Sequence, residues 1–398
     1  MLKRAIFPVV ARLLQQAYPP PKPNAPHRPD APPFAHRGLY AVGTRDLVLY
    51  DEDMSRRRQL PVTVWYPSNL SPDAPQEAIY TMTPMQFAGN ATTNAPWSEA
   101  QSAFPLVVFS HGSGGLRYQS LFLMEHLASH GFIVMAVDHV GNTFLDGMLY
   151  GHQYEKMRLV SYVQRPLDMS RMIDYAVAQF PVDVEQIAAI GHSFGGYTVF
   201  NLAGAAWDFN ALRHWCTTYE EQEKQSLGGV AYLQHHIEFL AKQRGLESAP
   251  EAWEPLADPR IKALVTFAPY NAPVFGQQNL AAVKLPTLVM VGTTDPVTIP
   301  ERDAYQYYDW IGSTQKGLVK FLEAGHFIYV DGCSPMARDF GVFRVCSDPV
   351  WDMERAHDLL NHITTAFLRW QLLKDTDALA ALQHLDFSGI QLDSQNLA

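Results

Sequence analysis

The stretch QIAAIGHSFGGYTVFNLAG, Gln186–Gly204, decides how the rest of the chain reads. Its start, Gln186–Gly191, is a short apolar run of strand character. From Gly195 to Ala206 the spacing is helical. Between them, Gly191-His192-Ser193-Phe194-Gly195 matches G-x-S-x-G, whose glycines permit a sharp strand-to-helix turn. Such a turn holds its serine in a strained backbone conformation, with the hydroxyl at the top of a sheet. It also aims the free N–H groups of the helix start at charge developing beside that serine. The pentapeptide fixes only two glycines and a serine, so the flanking elements carry the reading.

Similar apolar runs flank it. Phe104–Ser110 (FPLVVFS), Phe132–Asp138 (FIVMAVD), Ile261–Pro269 (IKALVTFAP), Leu285–Gly292 (LPTLVMVG) and Gly317–Ala324 (GLVKFLEA) read as buried strands, the last of them final in the chain. Leu116–His130, Asp168–Gln179 and Glu354–Lys374 have helical spacing. Arg45–Asp51 and Leu60–Pro67 read as a hairpin, with SRRRQ (Ser55–Gln59) as its solvated turn, and Ser68–Ala103 reads as loop. Buried strands alternating with helices predict an α/β fold: a mostly parallel, twisted sheet with helices on both faces and an antiparallel edge. Trp207–Asp258 has helical character without a strand signal. It is expected to form a helical cap insertion above the carboxyl ends of the strands, where open α/β sheets carry their sites. The expected organisation is a short helix and Pro-rich arm over 1–40, a core over 41–206 and 259–385, and the cap over 207–258.

At about 150 residues per domain, 398 residues would make two or three units, but large α/β enzymes often form one. With 47% hydrophobic and 18% charged residues, the chain can bury a large core. The net charge is −10 and no long basic run occurs, which argues against a nucleic-acid partner. Three cysteines exclude a CxxC-type metal cluster, and no metal or cofactor is expected. Two readings stand for the cysteines. They are free thiols in a reducing compartment, or Cys333 and Cys346 form a disulfide in an oxidising one. The first is the expectation, with a cytoplasmic placement; the second implies a secreted or periplasmic one. Near the start, Pro8 and Arg12 interrupt the apolar run Ala5–Ala11. Leu2, Ile6, Val9, Val10, Leu13 and Leu14 fit a helical stripe, so a surface helix is expected rather than a secretion signal. That helix is a candidate for weak contact with a membrane surface. No run of about 18 apolar residues predicts a transmembrane span. Pro19–Pro33 reads as an extended arm.

A serine hydroxyl is a poor nucleophile unless a base takes its proton. On this fold, base and orienting acid follow in the order Ser, Asp or Glu, His. Asp295 stands just past the strand ending at Gly292, and His326 just past the strand ending near Ala324. Ser193, Asp295 and His326 are therefore the candidate catalytic residues. The plainer role for Asp295 is an Asx turn or helix cap before Pro296, and for His326 an ordinary loop histidine. Acyl transfer also needs donors for the oxyanion. The N–H of Phe194 is one candidate. The glycine-rich loop His111-Gly112-Ser113-Gly114-Gly115 offers the other, at Ser113.

With these pieces in place, the chain resembles the α/β-hydrolase superfamily. More narrowly, it looks like the group of plasma-type platelet-activating factor acetylhydrolases and dienelactone-hydrolase-like esterases. The resemblance rests on FSHGSGGLRYQSLFLMEHLASHGFIVMAVDH (Phe109–His139) and GHSFGGYTV (Gly191–Val199). It spans roughly Asp46–Phe367 and is specific in those two blocks. It implies a serine esterase with its nucleophile at Ser193 and oxyanion donors at Ser113 and Phe194. One departure stands out. The acetylhydrolases carry their acid after the strand that follows the cap, where this chain has Ala268.

The expected function is cofactor-free hydrolysis of a small-molecule or lipid carboxylic ester through an acyl-enzyme. Phe144, Tyr150 and Tyr270 are candidate pocket residues. Within the enzyme class, alternatives are phospholipase A2-like or acetylhydrolase-like action on short or oxidised acyl chains, and hydrolysis of polyesters or lactones. The alternative from another class is a hydrolase fold kept as a non-catalytic binding protein, which would show an unreactive Ser193.

Overall fold

In a computed structural model of the chain, residues 2–19, 28–51, 58–75, 77–82, 85–219, 233–250 and 253–395 are described. The core is a ten-stranded sheet. Its parallel part comprises β6 (Phe104–Ser110), β7 (Ile133–Val137), β8 (Val182–His192), β9 (Ile261–Phe267), β10 (Thr287–Gly292) and β11 (Lys316–Phe321). The antiparallel pair β1 (Ala41–Asp51) and β2 (Arg58–Ser68) extends it beyond β7. The expected hairpin is thus present; most of its turn, including Ser55–Arg57, lies outside the described residues.

These strands are apolar runs because both faces are covered. Leu106 and Val108 of β6 point into one cluster, with Val289 and Val291 of β10. Val107, Phe109, Leu288 and Met290 point into the other. On the first side lie α4 (His152–Gln179), α5 (Phe194–Leu202) and α9 (Ala304–Trp310). On the second lie α2 (Leu121–Ser129), α11 (Met353–Leu373) and α12 (Thr376–Gln383). Each fully buried Val, Leu, Ile or Phe contributes roughly 1.5–3 kcal/mol of transfer free energy.

The structure departs from the sequence reading in several places. The sheet does not end at β11 or at residue 385: β12 (Ile390–Gln395) pairs antiparallel with β11 along an edge. Ser68–Ala103 is not all loop, since β3 (Ala78–Met82) and β4 (Met85–Gly89) form a two-stranded sheet and β5 (Thr92–Thr93) pairs with β1. Helix α4 starts sixteen residues before Asp168 and runs through Pro166. Residues 116–120 are not helical, 117–120 forming a turn, and α2 begins at Leu121. Cys333 and Cys346 are bonded to each other, not free. The expected helix near the start is present as α1 (Leu2–Ala17), with Val9 and Leu13 exposed. Of the arm Pro19–Pro33, residues 20–27 lie outside the described part.

Within 207–258 the described residues form helices α6 (Phe209–Thr218) and α7 (Ile237–Gln243), without a strand. Trp207, Phe209, Leu212 and Leu240 belong to the first core cluster, so this segment packs onto the helical layer.

Strand order places the site. The chain passes from β6 to β7 on one side, then crosses to β8 on the other. Where the order reverses, the loops leaving β6 and β8 diverge and leave a crevice at the strand carboxyl ends. The loop at 111–115 and the turn at Ser193 both leave there.

The turn itself depends on glycine. A side chain on Gly195 would overlap the Ser110 carbonyl oxygen, and one on Gly191 would overlap the Gly195 carbonyl. Both obstacles are backbone, which cannot swing away. Gly332 has nothing near it and no positive φ. Gly195→Ala is therefore expected to lower stability by roughly 1–3 kcal/mol in denaturant melts. Gly332→Ala should stay within about 0.5 kcal/mol of wild type.

Candidate active site

Ser193 sits between β8 and α5 at φ 54 and ψ −116, a conformation rare for a residue with a side chain. Backbone bonds hold it there. Its N–H donates to the Phe267 carbonyl at 2.8 Å, and its carbonyl accepts from Gly196 N at 2.8 Å and Tyr270 N at 3.1 Å. Strain of this kind costs of order 1–3 kcal/mol and persists only where the surroundings impose it.

The turn after β10 carries Asp295, and it uses the two carboxylate oxygens differently. Oδ1 accepts from Val297 N at 2.7 Å and Thr298 N at 3.0 Å, the Asx turn foreseen as its plainer role. Oδ2 accepts from Thr298 Oγ1 at 2.7 Å and faces His326 Nδ1 at 2.6 Å. The structural role and the pairing with His326 therefore coexist. Burial works against the carboxylate's charge. His326, the Thr298 hydroxyl and the Val297 N–H outweigh it and hold its pKa below the ordinary range. An ionised carboxylate only accepts, so His326 Nδ1 carries the proton between them. Among the described residues no hydrogen bond joins Ser193 Oγ to that ring. The His192 ring lies beside it, at a centroid distance of 4.8 Å.

The loop after β6 runs alongside the serine: a side chain on Gly112 would stand 3.4 Å from Ser193 Cβ. Asn142 fastens the loop. It accepts from Gly114 N at 3.1 Å through its carbonyl and donates to Ser113 Oγ at 3.1 Å from its amide. Among the described residues, neither the Ser113 N–H nor the Phe194 N–H has an acceptor. Phe144 N donates to Gly115 O at 3.1 Å, which sets Phe144 at the edge of this loop. Tyr270 lies beside the Ser193 turn, its ring 6.3 Å from that of Phe194. Tyr150 stands at the far end of α3 (Phe144–Tyr150), about 9 Å along the helix from Phe144.

Beneath the crevice lies a buried polar framework that the sequence reading missed. Arg165 of α4 is wholly buried. It donates to Asn142 Oδ1 at 2.7 Å, to Ser110 Oγ at 3.1 Å and to the His111 carbonyl. Its guanidinium lies 4.6 Å from the centre of the Phe194 ring, and burial lowers its pKa to about 9. Ser110 Oγ also meets His139 Nε2 at 3.0 Å, and His139 Nδ1 meets Asp168 Oδ2 at 3.0 Å. This is a second Ser-His-Asp chain, but a structural one. Ser110 and Asp168 are fully buried, where Ser193 keeps 8% exposure, and Asp168 is already paired with Arg58 at 3.0 and 3.2 Å. One signal for Arg165 existed: it falls on the buried stripe Tyr162, Arg165, Met169 of α4.

Residues 76–144 match the family of platelet-activating factor acetylhydrolase, isoform II, and residues 118–215 match the prolyl oligopeptidase family. The platelet-activating factor acetylhydrolase of Bos taurus is 32% identical over 157 residues, covering 28% of this chain and 35% of that enzyme. The Cavia porcellus enzyme is 28% identical over 222 residues, covering 41% and 50%. The chain thus matches between about a third and a half of the length of these relatives. A ferulic acid esterase from Streptomyces cinnamoneus superposes with a TM-score of 0.58 at 18% identity, covering 88% of this chain and 94% of that one. The crossing order of the sheet, the serine turn after β8 and this superposition give the chain the α/β-hydrolase fold.

Proposed function

We propose that the chain hydrolyses carboxylic esters, with Ser193 as nucleophile, His326 as base and Asp295 as its orienter. The observation that carries this reading is the 2.6 Å Asp295–His326 pair beside a serine held at positive φ. Ser193 Oγ attacks the acyl carbonyl while His326 Nε2 takes its proton. The imidazolium then returns that proton to the leaving alcohol, with Asp295 stabilising the charge through Nδ1. The N–H groups of Ser113 and Phe194 receive the oxyanion. Water, deprotonated by the same histidine, releases the acid. Phe144 and Tyr270 border the crevice and suit an apolar acyl or alcohol group.

A second reading, acetylhydrolase-like action on short or oxidised acyl chains of a lipid, is favoured by the matches over 76–144. Ala268 weighs against carrying over the relatives' specificity with their fold. The disulfide favours an oxidising placement, secreted or periplasmic, over the cytoplasmic expectation. Among the described residues no helix is long and apolar enough to cross a membrane.

Ser193→Ala should lower turnover of a p-nitrophenyl ester by a factor on the order of 10⁶. Near-wild-type hydrolysis by that variant overturns the reading. Profiling acyl length from acetate to palmitate separates the two substrate readings, since the second requires a sharp preference for the shortest chains.

Two stability measurements accompany these. Because the folded-state pKa of Asp295 is depressed, its contribution is present above the unfolded carboxylate pKa of about 3.9. It is lost as pH falls through the lower folded value, so Asp295→Asn should show a shallower acid limb in thermal midpoint against pH. Replacing Cys333 and Cys346 by serine should cost roughly 2–3 kcal/mol in denaturant unfolding.

A further inference from the structure

Three separate segments must be held in register for the proposed reaction: the oxyanion loop, the nucleophile turn and the His326 loop. One side chain outside the triad touches the first two and reaches the third. Gln119 lies in the turn before α2. Its Oε1 accepts from Gly112 N at 2.9 Å, and its Nε2 meets His192 Nδ1 at 2.9 Å. His192 Nε2 meets the His326 carbonyl at 3.2 Å.

Both ends fix the direction of this chain. The Gly112 N–H can only donate, so the Gln119 oxygen must face it and the amide N–H must face His192. The His326 carbonyl can only accept, so the His192 proton lies on Nε2 and its Nδ1 accepts from Gln119. The glycines of the loop make room for it. A side chain on Gly115 would stand 2.5 Å from Gln119 Oε1, and one on Gly112 would stand 3.1 Å from His192 Nδ1. Gln119 is itself anchored, since its carbonyl accepts from Asp331 N at 2.9 Å. The neighbouring Ser120 Oγ donates to the Tyr329 carbonyl at 2.7 Å.

We propose that Gln119 is a positioning residue. Through one amide it sets the oxyanion loop against the nucleophile turn and, by way of His192, fixes the backbone that carries His326. The inference rests on the serine-esterase reading above. Around the His192 ring stand His326 and Asp295 from the loops after β11 and β10, Arg165 from α4, His111 from the oxyanion loop, and the Tyr329 ring. Burial, followed by the charge on His326, lowers the His192 pKa to about 3, so in the wild type its ring is neutral with one proton.

The test compares wild type, Ser193→Ala, Gln119→Met and Gln119→Glu. Methionine keeps the length and removes both hydrogen bonds. Glutamate keeps the acceptor for Gly112 but sets a second acceptor against His192 Nδ1. A single proton, on either the carboxyl or the imidazole, repairs that clash. The readouts are kcat and KM for p-nitrophenyl acetate, the inactivation rate by a fluorophosphonate, and thermal midpoint, across pH about 5.5–8.5. Gln119→Met should lose about 10–100-fold in kcat and in inactivation rate, with KM changed by no more than about threefold. Its deficit should not vary with pH. The ratio of Gln119→Glu to wild type should rise as pH falls, because the variant alone gains from a proton. Gln119→Met activity within about twofold of wild type overturns the proposal. So does a Gln119→Glu ratio that does not change with pH, even if Gln119→Met is unfolded. If the wild type is not labelled and Ser193→Ala stays active, the serine-esterase reading itself has failed. If the wild type is labelled and the Gln119 variants match it, only the positioning role has failed.

Discussion

The backbone of Ser193 is the constraint on which the rest of the site depends. Its N–H is taken by the end of β9, and its carbonyl by Gly196 and Tyr270. A residue held in this way cannot relax to negative φ without breaking bonds to two neighbouring segments. The fixed turn presents the hydroxyl above the sheet and, among the described residues, leaves the Phe194 N–H without an acceptor. It also requires Gly195, because α5 begins against the carbonyl of Ser110. The strand order supplies the remainder. β6 and β8 are neighbours with their connections running opposite ways, so the loops leaving them diverge and border the gap.

Polar groups under the gap give it a defined geometry. Arg165 is bonded to Asn142, Ser110 and the His111 carbonyl, which are the groups that hold the loop after β6. A buried guanidinium costs several kcal/mol to desolvate, and each hydrogen bond to a charged group contributes roughly 1.5–3 kcal/mol. The buried Ser110–His139–Asp168 chain has the same hydrogen-bond pattern as a catalytic triad, yet no access and no strained turn. The contrast shows that residue types alone do not make a site. A strained turn, N–H groups without an acceptor among the described residues, and 8% exposure against 0% for Ser110 distinguish Ser193.

The buried parallel strands were legible in the sequence because cover on both faces turns each one into an unbroken apolar run, as in FPLVVFS. Elements with one exposed face were not. β12 alternates Ile and Leu with Gln, Asp and Ser along an edge, and its short polar run resembles a tail. Pro166 concealed the first half of α4, whose helix accommodates it among buried neighbours. The free-thiol expectation failed because spacing alone says nothing of whether two cysteines meet. For the site, strand-end position made Ser193, Asp295 and His326 the candidates. Gln119, Asn142 and Arg165 act through partners far away in sequence, which only the folded chain brings together. The asparagine and glutamine also carry no pattern of their own.

The acyl-enzyme is the most direct test of the account. The protein would be mixed with p-nitrophenyl acetate, quenched in acid during turnover and mapped by peptide mass spectrometry. The account predicts an acetyl group on Ser193, with a burst of p-nitrophenol matching the enzyme present. Ester turnover with Ser193 unmodified, or with the acetyl group on another residue, would contradict it.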